Sequence, residues 1–253
     1  MRVVLDLRRK IEENAADYFE KAKKAKKKLK GALETIEKTK KMLSKLEKDF
    51  KPSEKVQKEQ RKREWYEKFR WFFSSTGFLV IGGRDATTNE IVIKKYTDKN
   101  DIVLHTDMAG SPFFVIKSEG KEIDKQTLNE AADATCTFSR AWKLQRQSQD
   151  VFYVKPEQVS KEAKSGEYLS KGAFMIYGET KYLDNKCNLC VGIKGNVIMS
   201  GPFEAISKNC EKYVKLTFGD EKASSMAKRI RYKLGGELDE IIRSLPAGTF
   251  KIV

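Results

Sequence analysis

The sequence predicts an α+β protein in which a long N-terminal helical coiled-coil arm precedes a mixed α/β globular domain with a C-terminal extension. Three observations predict this organisation. An apolar repeat with a mean step of about 3.5 residues, the coiled-coil period, runs from Ile11 to Phe50. After Trp71 the pattern changes to two-residue alternation. Residues 1–70 carry 24 Lys and Arg against 13 Asp and Glu, whereas residues 71–253 carry 27 against 23. We therefore expect a basic arm over 1–70, a globular domain over 71–182 and an α+β extension over 183–253.

The arm is predicted from a seam of apolar and small side chains at alternating steps of four and three residues. The seam consists of Ile11, Ala15, Tyr18, Ala22, Ala25, Leu29, Ala32, Ile36, Thr39, Leu43, Leu46 and Phe50. Pro52 disfavours helix at the residue before it, and Ser53 can cap a new helix that we expect to run to Arg70. The first helix of this antiparallel hairpin is much longer than the second. Part of the seam is therefore expected to pair with another molecule or with a second copy.

The globular part is predicted from short apolar runs separated by Gly, Pro and Asn. The predicted strands are Phe78–Ile81, Glu90–Tyr96, Ile102–His105, Phe113–Lys117, Val151–Lys155, Ala173–Tyr177, Val191–Ile193, Val197–Met199 and Tyr213–Thr217. The predicted helices are Thr127–Trp142, Lys222–Leu234 and Glu237–Ser244.

Composition bounds the class of protein. Forty per cent hydrophobic residues exclude wholesale disorder, and the longest apolar runs are too short to span a membrane. The N-terminus carries no apolar signal segment, and four cysteines do not make a disulfide framework. We expect a cytoplasmic protein with no membrane partner. The net charge of +15 favours a polyanionic partner such as nucleic acid.

Catalytic and metal chemistry has few candidate residues. His105 is the single histidine, and Asp107 could orient it from the same strand face. Cys187 and Cys190 have the spacing of half a zinc site, but the second half is missing. A turn at Gly82-Gly83 follows a strand, yet it lacks the Gly-Lys-Ser/Thr ending of a phosphate loop. We expect no catalytic residue, no metal and no cofactor; a metal-dependent enzyme built on these groups is an alternative.

Basic residues beside aromatic ones give a stronger signal. Ser139–Arg146 ends a predicted helix with three cations around Trp142, a composition that suits phosphates and unpaired bases. Lys94, Lys95 and Lys117 lie near predicted strand ends and could extend this surface. Seven lysines between residues 21 and 30 are either a solvated helix face or a grip on a nucleic-acid backbone.

A series of motifs identifies a family resemblance. In chain order the motifs are Trp65–Phe72, Ser74–Ala86, Asn89-Glu90, Asp101–Asp107, Gly110-Ser111-Pro112, Val115-Ile116-Lys117, Thr127-Leu128, Glu130-Ala131, Ser139–Trp142, Tyr153-Val154, Pro156–Lys161, Ser165–Leu169 and Gly172–Ile176. This combination resembles the NFACT-R module, the RNA-binding domain of the NFACT family, over residues 65–182. The segments Leu5-Asp6-Leu7, Glu13-Asn14-Ala15 and Tyr18-Phe19 resemble the family's coiled-coil entry. Residues 183–253 resemble the tail of archaeal members.

The resemblance implies a factor of ribosome quality control. Its partners would be the large ribosomal subunit holding stalled peptidyl-tRNA, tRNA and rRNA, and it would support C-terminal tailing. Full members also carry an NFACT-N domain, which this sequence lacks, so we expect a C-terminal fragment or a short relative. The expected RNA contacts are Arg84, Lys94, Lys95, Lys117, Arg140, Trp142, Lys143, Arg146 and Lys161. The residues expected to shape the site are Asp85, Asn89, His105 and Asp107.

Two other functions compete with tailing. The coiled coil could be a scaffold that recruits a ubiquitin ligase or another quality-control protein, or that pairs with a second copy. The chain could also be a general nucleic-acid-binding protein without tailing activity. A continuous basic face on residues 71–253 would favour RNA, whereas charge confined to the arm would favour the scaffold.

Overall fold

The computed structural model describes residues 4–49, 62–162 and 169–253, with the backbone alone for 43–49. It divides into two compact units, residues 1–62 and residues 63–253. Within the described residues, no helix is long and apolar enough to cross a membrane.

The described part of the first unit is one long helix with a short folded-back entry. The helix α1 covers Ile11–Asp49, about 58 Å at 1.5 Å per residue. Asn14 ties the entry to the helix, because its side-chain amide donates to the carbonyl oxygens of Asp6 and Lys10 at 3.1 Å each. The predicted long helix is confirmed. Its seam is exposed among the described side chains, with Leu29 and Ile36 61% and 51% accessible.

The predicted second helix of the arm is wrong at its C-terminal end. Its start lies outside the described residues, but Trp65–Lys68 is a single 3₁₀ turn and Arg70–Phe73 is strand β1. Phe69 and Phe72 are both fully buried, in clusters on different faces of the sheet. Successive side chains of a strand point to opposite faces of the sheet. An extended backbone therefore lets neighbouring aromatic side chains enter both clusters.

The second unit is built on a six-stranded antiparallel sheet in the order β1-β2-β4-β3-β5-β8. Its strands are β1 (Arg70–Phe73), β2 (Leu79–Gly82), β3 (Ile102–Thr106), β4 (Phe114–Ile116), β5 (Val151–Val154) and β8 (Lys181–Leu183). Two short strands, β6 (Val159–Ser160) and β7 (Met175–Ile176), pair separately. Strands predicted at Phe78–Ile81, Ile102–His105, Phe113–Lys117, Val151–Lys155 and Ala173–Tyr177 are confirmed with small shifts at their ends.

Both faces of this sheet are buried. Val80, Leu104 and Phe114 lie in the cluster that includes helix α3 (Lys125–Thr137). Their neighbours Ile81 and Val115 lie in the opposite cluster, with Val92 of helix α2 (Ala86–Lys95). Burial on both sides explains why these strands are continuous apolar runs rather than alternating ones.

Helix α2 replaces the strand predicted at Glu90–Tyr96. Asp85 caps it, since its carboxylate accepts from the backbone N–H of Thr88 at 2.8 Å. The hydroxyl of Thr88 in turn accepts from the backbone N–H of Asp85 at 2.9 Å, which closes a reciprocal cap. This local cap and the burial of Val92 outweigh the strand preference of the β-branched residues.

The helix predicted at Thr127–Trp142 is two helices, α3 and α4 (Arg140–Lys143). Ser139 separates them, because its hydroxyl accepts from the backbone N–H of Ala141 at 3.0 Å and so caps α4.

The C-terminal extension adds a four-stranded sheet in the order β10-β9-β11-β12. Its elements are β9 (Leu189–Lys194), β10 (Val197–Gly201), α5 (Phe203–Asn209), β11 (Lys212–Lys222), α6 (Ala223–Leu234), α7 (Leu238–Ser244) and β12 (Thr249–Ile252). The predicted strands and helices of the extension are confirmed. In the whole second unit, sequence reasoning missed β1, β6, β8, α5 and β12. Leu189 and Met199 lie in the same hydrophobic cluster as Phe72 and Trp142, so one core runs through both sheets.

Candidate nucleic-acid interface

Three loops of the second unit surround a cavity of about 370 Å³, which we call the central pocket. They are the turn between β2 and α2, the loop between β3 and β4, and segment 170–176. The pocket brings together four residues predicted to contact RNA or shape the site: Arg84, Asp85, Asn89 and His105.

Asn89 and Asp85 build the wall of the pocket. The side-chain oxygen of Asn89 accepts from the backbone N–H of Phe113 at 3.2 Å, which joins α2 to the β3–β4 loop. A Cβ at Gly83 would lie 1.8 Å from that oxygen, so this turn requires glycine. The Asp85 carboxylate is held by its capping bonds to Thr88, and these bonds lower its pKa. Asp85 and Asn89 thus fix the turn and the loop that line the pocket, and their role in an RNA site stays a prediction.

Two guanidinium groups form the inner wall. Arg84 donates to the carbonyl oxygens of Phe69 at 2.7 Å and Arg243 at 3.1 Å, and its Nε is buried without a hydrogen-bond partner in the described part of the chain. Arg70 donates to the carbonyl oxygen of Leu245 at 3.3 Å and lies 4.4 Å from the ring centroid of Phe138. Among the described residues, neither guanidinium forms an ion pair with a carboxylate.

Burial and mutual repulsion act on both arginines. Desolvation, followed by the charge of Arg84, lowers the pKa of Arg70 to about 9. Desolvation and the charge of Arg243 lower the pKa of Arg84 to about 10, with Asp85 opposing them. Both groups remain cationic at neutral pH. The inner wall is therefore electropositive, and its charge is not neutralised by ion pairs within the described chain.

His105 forms an apolar part of the pocket wall. Its ring stacks on Phe113 at a centroid distance of 4.0 Å, and its Nε2 lies 3.2 Å from the carbonyl oxygen of Ser111. Desolvation by burial lowers its pKa, so the imidazole is neutral at physiological pH.

Asp107 does not share the pocket. Its carboxylate accepts from the hydroxyl of Tyr182 at 3.1 Å, on the side where β5 pairs with β8. Its charge raises the pKa of His105, but this effect is smaller than those of burial and of the backbone hydrogen bonds. The structure therefore contradicts the predicted orienting role of Asp107.

Lys161 holds segment 170–176 in place and does not present a free cation. Its ammonium lies 2.8 Å from a carboxylate oxygen of Glu90 and donates to the carbonyl oxygens of Ser170 and Ala173 at 2.9 Å. These acceptors use all three of its protons. Its predicted direct contact with RNA is contradicted, because this geometry leaves no donor for a phosphate.

Lys117 is buried and paired inside the sheet. Its ammonium contacts the carboxylates of Asp101 and Asp98, the latter at 2.7 Å, and donates to the carbonyl oxygen of Tyr96 at 2.8 Å. With 7% of its surface exposed, it cannot reach RNA, so this predicted contact is wrong.

Trp142 is a core residue. It is 1% exposed, its indole N–H donates to the carbonyl oxygen of Thr249 at 3.2 Å, and its ring lies 4.8 Å from that of Phe218. The predicted base-stacking role is therefore wrong. The sequence could not show this, since the core around Trp142 is completed by Phe218 and Phe250 of the second sheet, distant in sequence.

The remaining predicted contacts lie on the surface. Lys94, Lys95, Arg140, Lys143 and Arg146 are exposed. Lys94 lies 3.7 Å from the carboxylate of Glu90, a weak contact at this exposure. Arg140 lies beside the β3–β4 loop, because a Cβ on Gly110 would be 3.6 Å from its side chain. These five cations stay predictions as RNA contacts.

The cysteines form no metal site among the described residues. Cys136 and Cys187 have sulfur atoms 3.6 Å apart, and Cys190 and Cys210 are buried elsewhere in the core. Burial raises the pKa of Cys190 to about 12. The thiol of Cys190 is therefore protonated at neutral pH and poorly suited to bind metal.

Part of the chain is similar to known proteins. A family model described as the NFACT protein RNA binding domain matches residues 68–178, which include β1 and segment 170–176. The chain is 48% identical over 202 residues to the archaeal Rqc2 homolog aRqcH of Methanocaldococcus jannaschii, across 77% of this chain and 30% of that protein.

Residues 68–178 form a domain of the NFACT RNA-binding type.

A human relative, ribosome quality control complex subunit NEMF, is 44% identical over 124 residues, across 49% of this chain and 11% of its own length. The chain thus spans less than a third of the NFACT-family relatives it matches. A remote likeness, with 18% identity and a TM-score of 0.40, links 69% of this chain to 76% of the C-terminal part of the fibronectin/fibrinogen-binding protein from Streptococcus suis.

Sequence reasoning missed two residues of the NFACT-family pocket. Arg70 was assigned to the end of a helix, yet it lies in a strand, where its position between Phe69 and Trp71 signals a side chain surrounded by aromatic rings. Lys171 lies on segment 170–176 and lines the pocket mouth. No local pattern distinguishes Lys171 from other exposed lysines.

Proposed function

We propose that this chain is an RNA-binding part of a cytoplasmic ribosome quality-control factor. It engages large ribosomal subunits that carry stalled peptidyl-tRNA, through tRNA or rRNA, and supports C-terminal tailing of the stalled peptide. The matched RNA-binding domain supports the RNA partner, and the names of the archaeal and human relatives support the ribosomal context.

One structural observation carries the proposal. The electropositive central pocket opens where the predicted contact Arg140 and the pocket lysine Lys171 are exposed. A cleft lined by cations attracts a polyanion, and phosphate contacts dominate nucleic-acid affinity. The charge of the protein is therefore not confined to the arm, as a scaffold alone would require.

Binding of large subunits and of tRNA by the intact chain tests the proposal. We expect affinity to fall steeply with salt, because each neutralised phosphate releases counterions. Arg140→Glu should weaken binding more than Lys212→Glu, a matched charge reversal at an exposed residue on β11. Equal effects of the two variants would show that only net charge matters, and a salt slope near zero would remove the RNA-binding function.

A second function is favoured by the exposed seam of α1. The seam residues Leu29 and Ile36, with Leu33 beside them, leave a strip of apolar surface on α1, and helices in proteins gain most of their stability by packing such a face. The arm would act as a protein-interaction scaffold, for a quality-control partner such as a ubiquitin ligase or for a second copy. Sedimentation of the chain with and without Leu29→Lys and Ile36→Lys distinguishes self-pairing from a missing partner.

A further inference from the structure

We propose that the central pocket binds one unpaired nucleotide of an RNA strand, with the phosphate held by Arg70, Arg84 and Lys171. The inference rests on the proposed function and names the ligand class and the site. A backbone phosphate and a free mononucleotide share this chemistry, and the arms of the test below distinguish them.

The charge of the pocket lining demands an anion. Arg70, Arg84 and Lys171 face a single acidic lining residue, Asp85, whose carboxylate is occupied in capping α2. Buried charges without an ion pair are costly unless a ligand neutralises them. The Nε of Arg84 is buried with no hydrogen-bond partner among the described residues, so the protein contacts of this guanidinium do not use all of its donors.

The nature of the cations favours a phosphate. Guanidinium groups bind phosphate oxygens through two parallel hydrogen bonds, whereas an ammonium acts as a point charge. The neutral imidazole of His105 adds no charge and no titration near pH 7 to this wall. Recognition should therefore depend little on pH between 7 and 8, a range that lies below the pKa of about 9 of Arg70.

The size and the other walls favour a single nucleotide. A volume of about 370 Å³ falls at the small end of ligand pockets and cannot accept a duplex. Phe138, Phe174 and Ile176 line the same cavity and are apolar. Phe174 is partly exposed, with the Lys161 ammonium 5.1 Å from its ring centroid, so part of an aromatic side chain is accessible to an unpaired base.

The pocket is held in shape before any ligand arrives. Gly172 approaches α2 so closely that a Cβ would lie 2.5 Å from the Cα of Ala86. The Glu90 carboxylate accepts from the backbone N–H of Gly172 at 3.1 Å and binds Lys161. Lys171 and Phe174 are thereby fixed opposite the β2–α2 turn, and a preorganised site loses less entropy on binding.

Two variants of the intact chain test the inference. Ala109→Trp fills the pocket mouth without changing charge, with Ala247→Trp as its control in an exposed loop. Lys171→Glu reverses a pocket charge, with Lys212→Glu as its control. The probes are adenosine 5′-monophosphate, uridine 5′-monophosphate, adenosine, inorganic phosphate and the single-stranded hexamer of adenylate, each measured by calorimetry and by the shift in Tm.

We expect both monophosphates and the hexamer to bind, the hexamer most tightly, and adenosine to bind at least tenfold more weakly than its monophosphate. Ala109→Trp and Lys171→Glu should each lower hexamer affinity at least tenfold, and their controls less than threefold. Equal affinity for adenosine and its monophosphate would overturn the phosphate assignment. Tighter binding of the mononucleotides than of the hexamer would overturn the assignment to an RNA strand.

The outcome also separates this inference from the proposed function. If Ala109→Trp binds the hexamer and tRNA as the unsubstituted chain does, with the same salt slope, the pocket inference fails while the RNA-binding function stands. If neither tRNA nor large subunits bind the unsubstituted chain, the proposed function fails.

Discussion

The ammonium of Lys161 lies 2.8 Å from the carboxylate of Glu90 and so joins the segment before β7 to helix α2. This contact closes one side of the central pocket, because the backbone of Gly172 donates to the same carboxylate. Two motifs that lie 71 positions apart in the sequence therefore act as a single structural clasp.

The clasp predicts a pH dependence. The hydrogen bond from Lys161, followed by that from Gly172, lowers the pKa of Glu90 from 4.5 to about 2. A depressed carboxyl pKa stabilises the fold fully above the unfolded value of 4.5, and this contribution is lost as the pH falls towards 2. Denaturation between pH 6 and pH 2.5 should show a smaller loss of stability in Glu90→Gln than in the unsubstituted chain. Identical pH profiles would contradict the clasp.

Lys117 should matter for stability and not for RNA. Lys117→Ala leaves Asp101 buried without its cation, so the free energy of unfolding should fall by about 3–5 kcal/mol. Lys95→Ala, at an exposed position on α2, is the matched control and should change stability by less than about 0.5 kcal/mol. Urea denaturation measures both. A fully stable Lys117→Ala protein with weakened RNA binding would restore the role that burial contradicts.

Trp142 should also separate packing from binding. Trp142→Phe keeps an aromatic ring beside Phe218 and Phe250 but loses the hydrogen bond to Thr249, at a cost of about 1 kcal/mol. Its affinity for RNA, measured below its Tm, should stay within twofold of the unsubstituted chain. A tenfold loss of affinity with unchanged stability would mean that the indole leaves the core to stack on a base.

His105 should remain neutral in the folded protein. Burial lowers its pKa below 6.5, so the folded state disfavours the imidazolium. Its contribution to stability is then complete above pH 6.5 and is lost as the pH falls below that value. Because the chain has one histidine, its ring signals in an NMR titration are unambiguous. A measured pKa above 6.5 would show that the backbone hydrogen bonds of the ring or the charge of Asp107 outweigh burial.

Most of the sheet was predictable because its strands are buried on both faces and read as apolar runs. The apolar runs at Val80-Ile81 and Phe114-Val115 predict strands from local sequence alone, without knowledge of the neighbouring strand. The strand predicted at Glu90 failed because β-branched residues also occur in helices, where a reciprocal cap between Asp85 and Thr88 decides the conformation.

The site was predictable in part. Motif residues Arg84, Asp85, Asn89 and His105 do converge, and family resemblance pointed to them. Which cations are free was not predictable, because burial of Lys117 and occupation of Lys161 depend on carboxylates distant in sequence. Arg70 and Trp142 were misjudged since the core that surrounds them is completed by the second sheet.

That shared core sets a limit on how the protein can be divided. The main-chain oxygens of Arg243 and Leu245 anchor Arg84 and Arg70, although both oxygens lie far beyond residue 178, where the family match ends. An excised fragment that stops at residue 178 would lose these anchors and expose Trp142 and Phe72 to water. We expect such a fragment to aggregate. The smallest fragment that folds as the second unit does should extend to β12.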